Sequence, residues 1–124
     1  REFPLYRGSG EHRRSFTFIG DIIDPMAILR ERTDEVAGEI FNIGTDREFT
    51  TARGIEMVEG IIGKEALKAQ VPPRPGDQTA TKACIDKARR VLGYDPKTPP
   101  EEGLRAQVEW YRGKVLGKVD TGGL

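Results

Sequence analysis

The stretch Val71-Pro72-Pro73-Arg74-Pro75-Gly76-Asp77 limits the possible folds more than any other part of the chain. Each proline ring locks φ and removes an N–H donor, so neither a helix interior nor a central strand can run through it. Gly76 then lets the backbone swing away sharply. One guanidinium, Arg74, and one carboxylate, Asp77, are held three positions apart on a stiff segment. Such a segment costs little entropy to order around a ligand. Two readings stand side by side. The segment is a Pro-rich surface turn with two solvated charges, or a ligand loop in which Arg74 meets a phosphate oxygen and Asp77 meets hydroxyls.

A length of 124 residues allows one domain or part of one, with a modest core. Charged residues make up 32% and hydrophobic ones 36%, as in soluble globular chains. No apolar run is long enough to span a bilayer, and no signal peptide opens the sequence. The single cysteine, Cys84, excludes an internal disulfide and fits a reducing compartment. A cytoplasmic location and no membrane partner are therefore expected. Net charge is zero but unevenly spread. Residues 1–19 carry four Arg against two Glu, and residues 61–97 eight bases against four acids, whereas residues 20–60 hold ten acids against four bases. Zero net charge argues against a nucleic-acid partner, whose affinity needs a broad phosphate-neutralising surface. A small anion is easier to accommodate.

Along the chain, Phe3-Pro4-Leu5-Tyr6 is short and apolar, and Arg7-Gly8-Ser9-Gly10 signals a turn. No G-x-G-x-x-G follows, so this is not a dinucleotide loop. Ser15–Ile19 is β-branched or aromatic and predicts a strand, with Arg14 and Phe16 on one face. Asp21 or Asp24 can cap a helix over Ile22–Arg32, Pro25 suiting its first turn. Ile22, Met26 and Leu29 form its expected inward stripe. Thr33–Gly38 reads as an acidic loop, and Glu39–Ile43 as a short buried strand ended by Gly44.

Thr50 or Thr51 caps a helix bearing Ile55, Val58, Ile61 and Ile62 on one face, with Gly63 as its stop. Leu67–Val71 reads as a strand feeding the Pro-rich loop. Asp86 can cap a helix over Lys87–Leu92, closed by Gly93. Thr98, Pro99 and Glu101 give a cap, an N1 proline and a capping-box glutamate for a helix burying Leu104, Val108 and Tyr111. The pattern is α/β, an α+β arrangement of short strands with about four helices. Residues 1–116 form one region, and residues 117–124 a frayed tail.

Several segments together resemble one family. Leu5-Tyr6, Gly8-Ser9-Gly10-Glu11 and Arg14-Ser15-Phe16-Thr17-Phe18-Ile19-Gly20-Asp21-Ile22 are similar to the middle of extended short-chain dehydrogenases, the NAD-dependent nucleotide-sugar epimerases and dehydratases. Gly38–Gly44 looks like the family's next strand, and Arg74-Pro75-Gly76-Asp77 like its substrate loop. Lys87–Tyr94 and Glu102-Gly103-Leu104 through Glu109-Trp110-Tyr111 look like its closing helices. The likeness covers nearly the whole chain in the right order, and UDP-glucose 4-epimerase-like enzymes fit it.

The resemblance implies that Arg14 and Arg74 grip the substrate diphosphate and that Asp77 accepts the nucleotide ribose hydroxyls. The chemistry suits those roles: guanidiniums share a diphosphate through charge-assisted bonds, and a carboxylate is an apt acceptor for a diol. It also implies that NAD(P) binds a missing N-terminal Rossmann half, against which residues 1–44 pack. No cofactor is expected on this chain. Departures fall at Ser15 and Gly20, where the family usually has acids, at Cys84, where aspartate is common, and at Pro25. They motivate the alternative of a non-enzymatic binding module.

Catalytic groups are not evident. No Tyr-x-x-x-Lys pair occurs, since Gly10, Thr98 and Val115 stand four residues past the three tyrosines. One His and one Cys cannot build a tetrahedral metal site without several acids. His12 reads as a solvent-exposed turn residue, and Cys84 as a small packed one. The chain is expected to be a substrate-binding part. Taken alone, it is expected to expose apolar edges and either to self-associate or to have a poorly ordered N-terminal third.

Overall fold

The computed structural model describes residues 2–116, so the expected frayed tail lies outside the described residues. Five strands and five α-helices occur in the order β1 (Phe3–Tyr6), β2 (Arg13–Arg14), α1 (Ile19–Glu31), α2 (Thr33–Val36), β3 (Phe49–Thr50), α3 (Thr51–Ile62), β4 (Lys68–Val71), β5 (Ala80–Thr81), α4 (Asp86–Leu92) and α5 (Pro100–Tyr111). The helix beyond the expected four is the single turn α2, where an acidic loop was expected. The arrangement is mixed α/β with short strands.

Two strand pairs lie in tandem. β1 runs parallel to β4, from Phe3 opposite Lys68 to Tyr6 opposite Val71. β2 then runs parallel to β5, Arg13 opposite Ala80, and antiparallel to β3 on its other edge. Parallel neighbours need a long crossover, and the segment between β1 and β4 supplies it. The Arg7–His12 turn joins β1 to β2, and the Pro-rich segment joins β4 to β5. These two connections therefore face each other at one corner. That corner holds the candidate site.

The core is Val36, Ile85, Ala88, Leu92 and Tyr94, with Ile28, Leu29, Phe41, Ile43, Ala83 and Val91 packed around it. The Tyr94 hydroxyl donates to the Gly44 carbonyl at 2.8 Å, anchoring the 39–45 segment. Burial, and secondarily the Asp21 charge, push the Tyr94 phenol above its ordinary range. Lys87 on α4 donates to the Glu39 carboxylate, and Arg89 to that of Asp46. Both acids are held below the usual carboxylate range by these bonds.

α3 behaves as its sequence predicts. The Thr50 side chain accepts from the Arg53 N–H at 3.1 Å, and Gly63 ends the helix at φ 74°. Gly93 closes α4 in the same left-handed region. β4 also matches its expected range to within a residue.

Several expectations are corrected. Ser15–Phe18 is not a strand: pairing stops at Arg14, and α1 begins at Ile19. Glu39–Ile43 is not a strand either, because among the described residues no strand lies beside it. Neither Asp21 nor Asp24 caps α1, whose N-cap is Phe18. The inward face of α1 is Asp21, Pro25, Ile28 and Leu29, leaving Met26 exposed, and Tyr111 on α5 is exposed as well.

Asp21 serves a different segment. Its buried carboxylate accepts from the N–H groups of Lys97 and Thr98 at 3.3 and 3.2 Å, and from the Thr98 hydroxyl at 3.1 Å. The N-cap of α5 is Pro99 rather than Thr98, so the expected capping box does not form and α5 starts at Pro100 without a side-chain cap. No helix among the described residues is long and apolar enough to cross a membrane. Asp21→Ala should lower unfolding free energy by about 2–3 kcal/mol in urea titrations, since it strips partners from part-buried donors. Asp24→Ala, at an exposed position, should change it by no more than about 0.5 kcal/mol.

Candidate functional site

The site is built by the two facing connections. On the Arg7–His12 side, the backbone runs through a 3-10 turn, Ser9–Glu11, stapled by the Ser9 hydroxyl donating to the Tyr6 carbonyl at 2.7 Å. The His12 carbonyl accepts from both the N–H and the hydroxyl of Thr51 at the start of α3. On the other side, the prolines carry the chain out from β4. Gly76 at φ 77° takes the left-handed conformation that only glycine adopts freely. That turn brings Asp77 back toward β2.

Asp77 is the meeting point. Its Oδ1 lies 3.5 Å from Arg14 Nη2 and 3.4 Å from Arg74 Nη2, and its Oδ2 lies 3.4 Å from His12 Nδ1. The structure thus brings together all three residues singled out from the sequence, Arg14, Arg74 and Asp77. Because both guanidiniums touch the same oxygen, their nearest nitrogens are no further apart than the sum of those two distances. A diphosphate can bridge such a gap.

The two arginines are held differently. Arg14 is fixed by the fold: Nη1 donates to the Arg13 carbonyl at 2.8 Å and Nη2 to the Gln78 carbonyl at 2.6 Å. Its remaining donors are free to take a charge-assisted bond. Arg74 is more exposed. Its side chain is 61% exposed, against 26% for Arg14, and its Cζ lies 5.3 Å from the Tyr6 ring centroid in a cation–π contact. A braced cation and a more exposed one therefore share the corner.

Sequence reasoning missed two members. His12 is not a solvent-exposed turn residue; its side chain is only 18% exposed and pairs with Asp77. Its place beside Arg13-Arg14 was the available signal. Tyr6 read as apolar strand, and nothing in the sequence tied it to Arg74 across 68 positions. Cys84, expected to be packed, is exposed, with its thiol 3.7 Å from Asp86. Asn42 is exposed and donates to the Cys84 carbonyl. Among the described residues no cluster of His, Cys, Asp and Glu is placed to hold a metal.

Two cavities lie elsewhere. One, of about 580 Å3, is lined by Phe16, Phe18, Phe49, Pro99, Leu104 and Trp110 among others, and a second of about 550 Å3 shares Phe16, Phe49 and Leu104. Neither includes Arg14, Arg74 or Asp77. Both are dominated by apolar walls, which suit packing against protein better than gripping an anion.

No family model matches the chain. Curated proteins and solved structures do. The chain is 32% identical over 107 residues to a UDP-glucose 4-epimerase of Mycolicibacterium smegmatis, covering 86% of this chain and 34% of that protein. It is 32% identical over 125 residues to UDP-glucuronic acid decarboxylase 1 of Arabidopsis thaliana, covering 100% of this chain and 28% of that protein. In structure it matches the UDP-glucuronic acid 4-epimerase of Bacillus cereus, solved with UDP-glucuronic acid and NAD. The TM-score is 0.80 at 31% identity, over 91% of this chain and 36% of that one. The chain spans about a third of the length of these relatives. Sequence and fold agree that this chain belongs with the extended short-chain dehydrogenases that act as nucleotide-sugar epimerases, dehydratases and decarboxylases.

Proposed function

We propose that the chain is the C-terminal, nucleotide-sugar-holding part of an NAD(P)-dependent epimerase, dehydratase or decarboxylase. Arg14 and Arg74 take the diphosphate of a UDP- or TDP-sugar, and Asp77 accepts the ribose hydroxyls. The observation that carries this reading is the contact of both guanidiniums with one oxygen of Asp77. That carboxylate oxygen offers the two cations the kind of contact an anion's oxygens would. A diphosphate arriving between them releases Asp77 Oδ1 to accept from hydroxyls. Holding the substrate by this remote group positions the sugar for chemistry performed elsewhere.

The sequence contains no glycine-rich dinucleotide turn and no Tyr-x-x-x-Lys. The cofactor and the catalytic pair are accordingly assigned to the remainder of the protein, and no chemical step is assigned to these residues. A reducing, cytoplasmic setting suits exposed Cys84.

Arg74 offers the cleaner test, because Arg14 also braces the Gln78 carbonyl. Arg74→Ala should weaken UDP-glucose binding measured by calorimetry by about 1.5–3 kcal/mol. Unchanged affinity would remove Arg74 from the diphosphate site.

Residues 1–44 are proposed to face the rest of the protein. Phe16, Ile19, Ile23 and Met26 are each more than half exposed, and Ile40 is 82% exposed on the unpaired 39–43 segment. A patch of that kind marks an interface. The chain expressed alone should associate with itself as its concentration rises in light scattering, and Ile23→Glu with Met26→Glu should reduce that association. A monomer at all concentrations would count against the interface.

A further inference from the structure

His12 has no part in the reading above, yet it holds the second oxygen of Asp77. We propose that His12 is a pH-sensitive positioning residue of the diphosphate cradle: once protonated, it holds Asp77 in place and strengthens nucleotide-sugar binding. The proposal rests on the assignment of Arg14, Arg74 and Asp77 to the ligand.

Geometry divides Asp77 between its neighbours. Oδ1 faces the two arginines, while Oδ2 faces His12 Nδ1 at 3.4 Å. When the arginines turn to a diphosphate and Oδ1 turns to hydroxyls, His12 is the partner left to orient the carboxylate. The ring is well placed for this. The His12 N–H donates to the Ser9 carbonyl at 3.1 Å, and the His12 carbonyl accepts from Thr51 at 2.9 and 3.2 Å. The backbone on both sides of the ring is therefore held by hydrogen bonds, and the ring itself pairs with Asp77.

Charge gives the device its sign. Histidine is the side chain that ordinarily changes charge between about pH 5 and 8. With Asp77 ionised, a neutral His12 leaves the Arg14–Arg74–Asp77 cluster with one net positive charge, and a protonated His12 adds another. The ligand's diphosphate carries two negative charges as a diester and does not titrate in this range. Binding should therefore tighten as pH falls, and ligand should in turn favour protonated His12. The other charged groups on the elements around the ring are Arg7, Glu11 and Arg13 on the turn and β2, and Arg53, Glu56 and Glu59 on α3. Arg53 is itself paired with Glu56 and Glu101. Asp77 is the acid within ion-pair distance of the imidazole.

The test uses UDP-glucose and the whole chain. Calorimetry should show affinity rising about fivefold or more from pH 8 to pH 5, and His12→Gln should flatten that dependence. An independent readout needs no variant. His12 is the chain's sole histidine, so its imidazole proton signal is unambiguous, and UDP-glucose should move its titration midpoint to higher pH. An equal pH dependence in His12→Gln, or a midpoint unmoved by UDP-glucose, would overturn the role of His12 and leave the binding site standing. Failure of the unmodified chain to bind UDP-glucose at any pH would overturn the site assignment, and this inference with it.

Discussion

One carboxylate gathers the cationic groups of this corner. Asp77 carries a single negative charge to within 3.5 Å of Arg14, Arg74 and His12, drawn from two stretches sixty positions apart. Bringing like charges together costs Coulomb energy that a shared counter-ion offsets. The backbone makes the meeting possible. Parallel pairing of β1 with β4, and then of β2 with β5, sets the two connecting loops against each other. Without that pairing, the Pro-rich loop would be the surface turn that its local sequence also allows.

Local signals were legible where the structure depends on local physics. Thr50, Gly63 and Gly93 stop and start helices as their chemistry predicts, and β4 leads into the proline segment as expected. The misses share a cause. Ser15–Ile19 has strand composition, but strand pairing is a non-local decision, and its ladder ends at Arg14. Glu39–Ile43 reads as a strand but joins no ladder among the described residues, and the 39–46 stretch is tied down by Lys87, Tyr94 and Arg89. The capping box at Thr98 failed because the helix starts one residue later, with Pro99 at the N-cap, while Thr98 is tied to Asp21, 77 positions earlier. Long-range competition of that kind leaves no trace in a short window.

The same division holds for the candidate site. Arg74 and Asp77 stood out because prolines and a glycine surround them, and Arg14 because it borders a β-branched run. Their convergence was an expectation from family resemblance, and the coordinates bring the three side chains together. His12 and Tyr6 carried no motif. Their parts follow from the register of β1 and the turn after it, which only the fold displays. The apolar face of α1 completes the picture. Its exposed Ile19, Ile23 and Met26 lie away from the buried Pro25 and Leu29 side, so the helix carries apolar residues on both sides.

The central claim is a place for a pyrophosphate, and a structure of the chain with UDP-glucose tests it most directly. The account predicts the diphosphate between the guanidiniums of Arg14 and Arg74, with the ribose hydroxyls on Asp77. A ligand seated instead in the apolar groove beside Trp110 and Phe18, with the Arg14–Asp77–Arg74 cluster undisturbed, would contradict it.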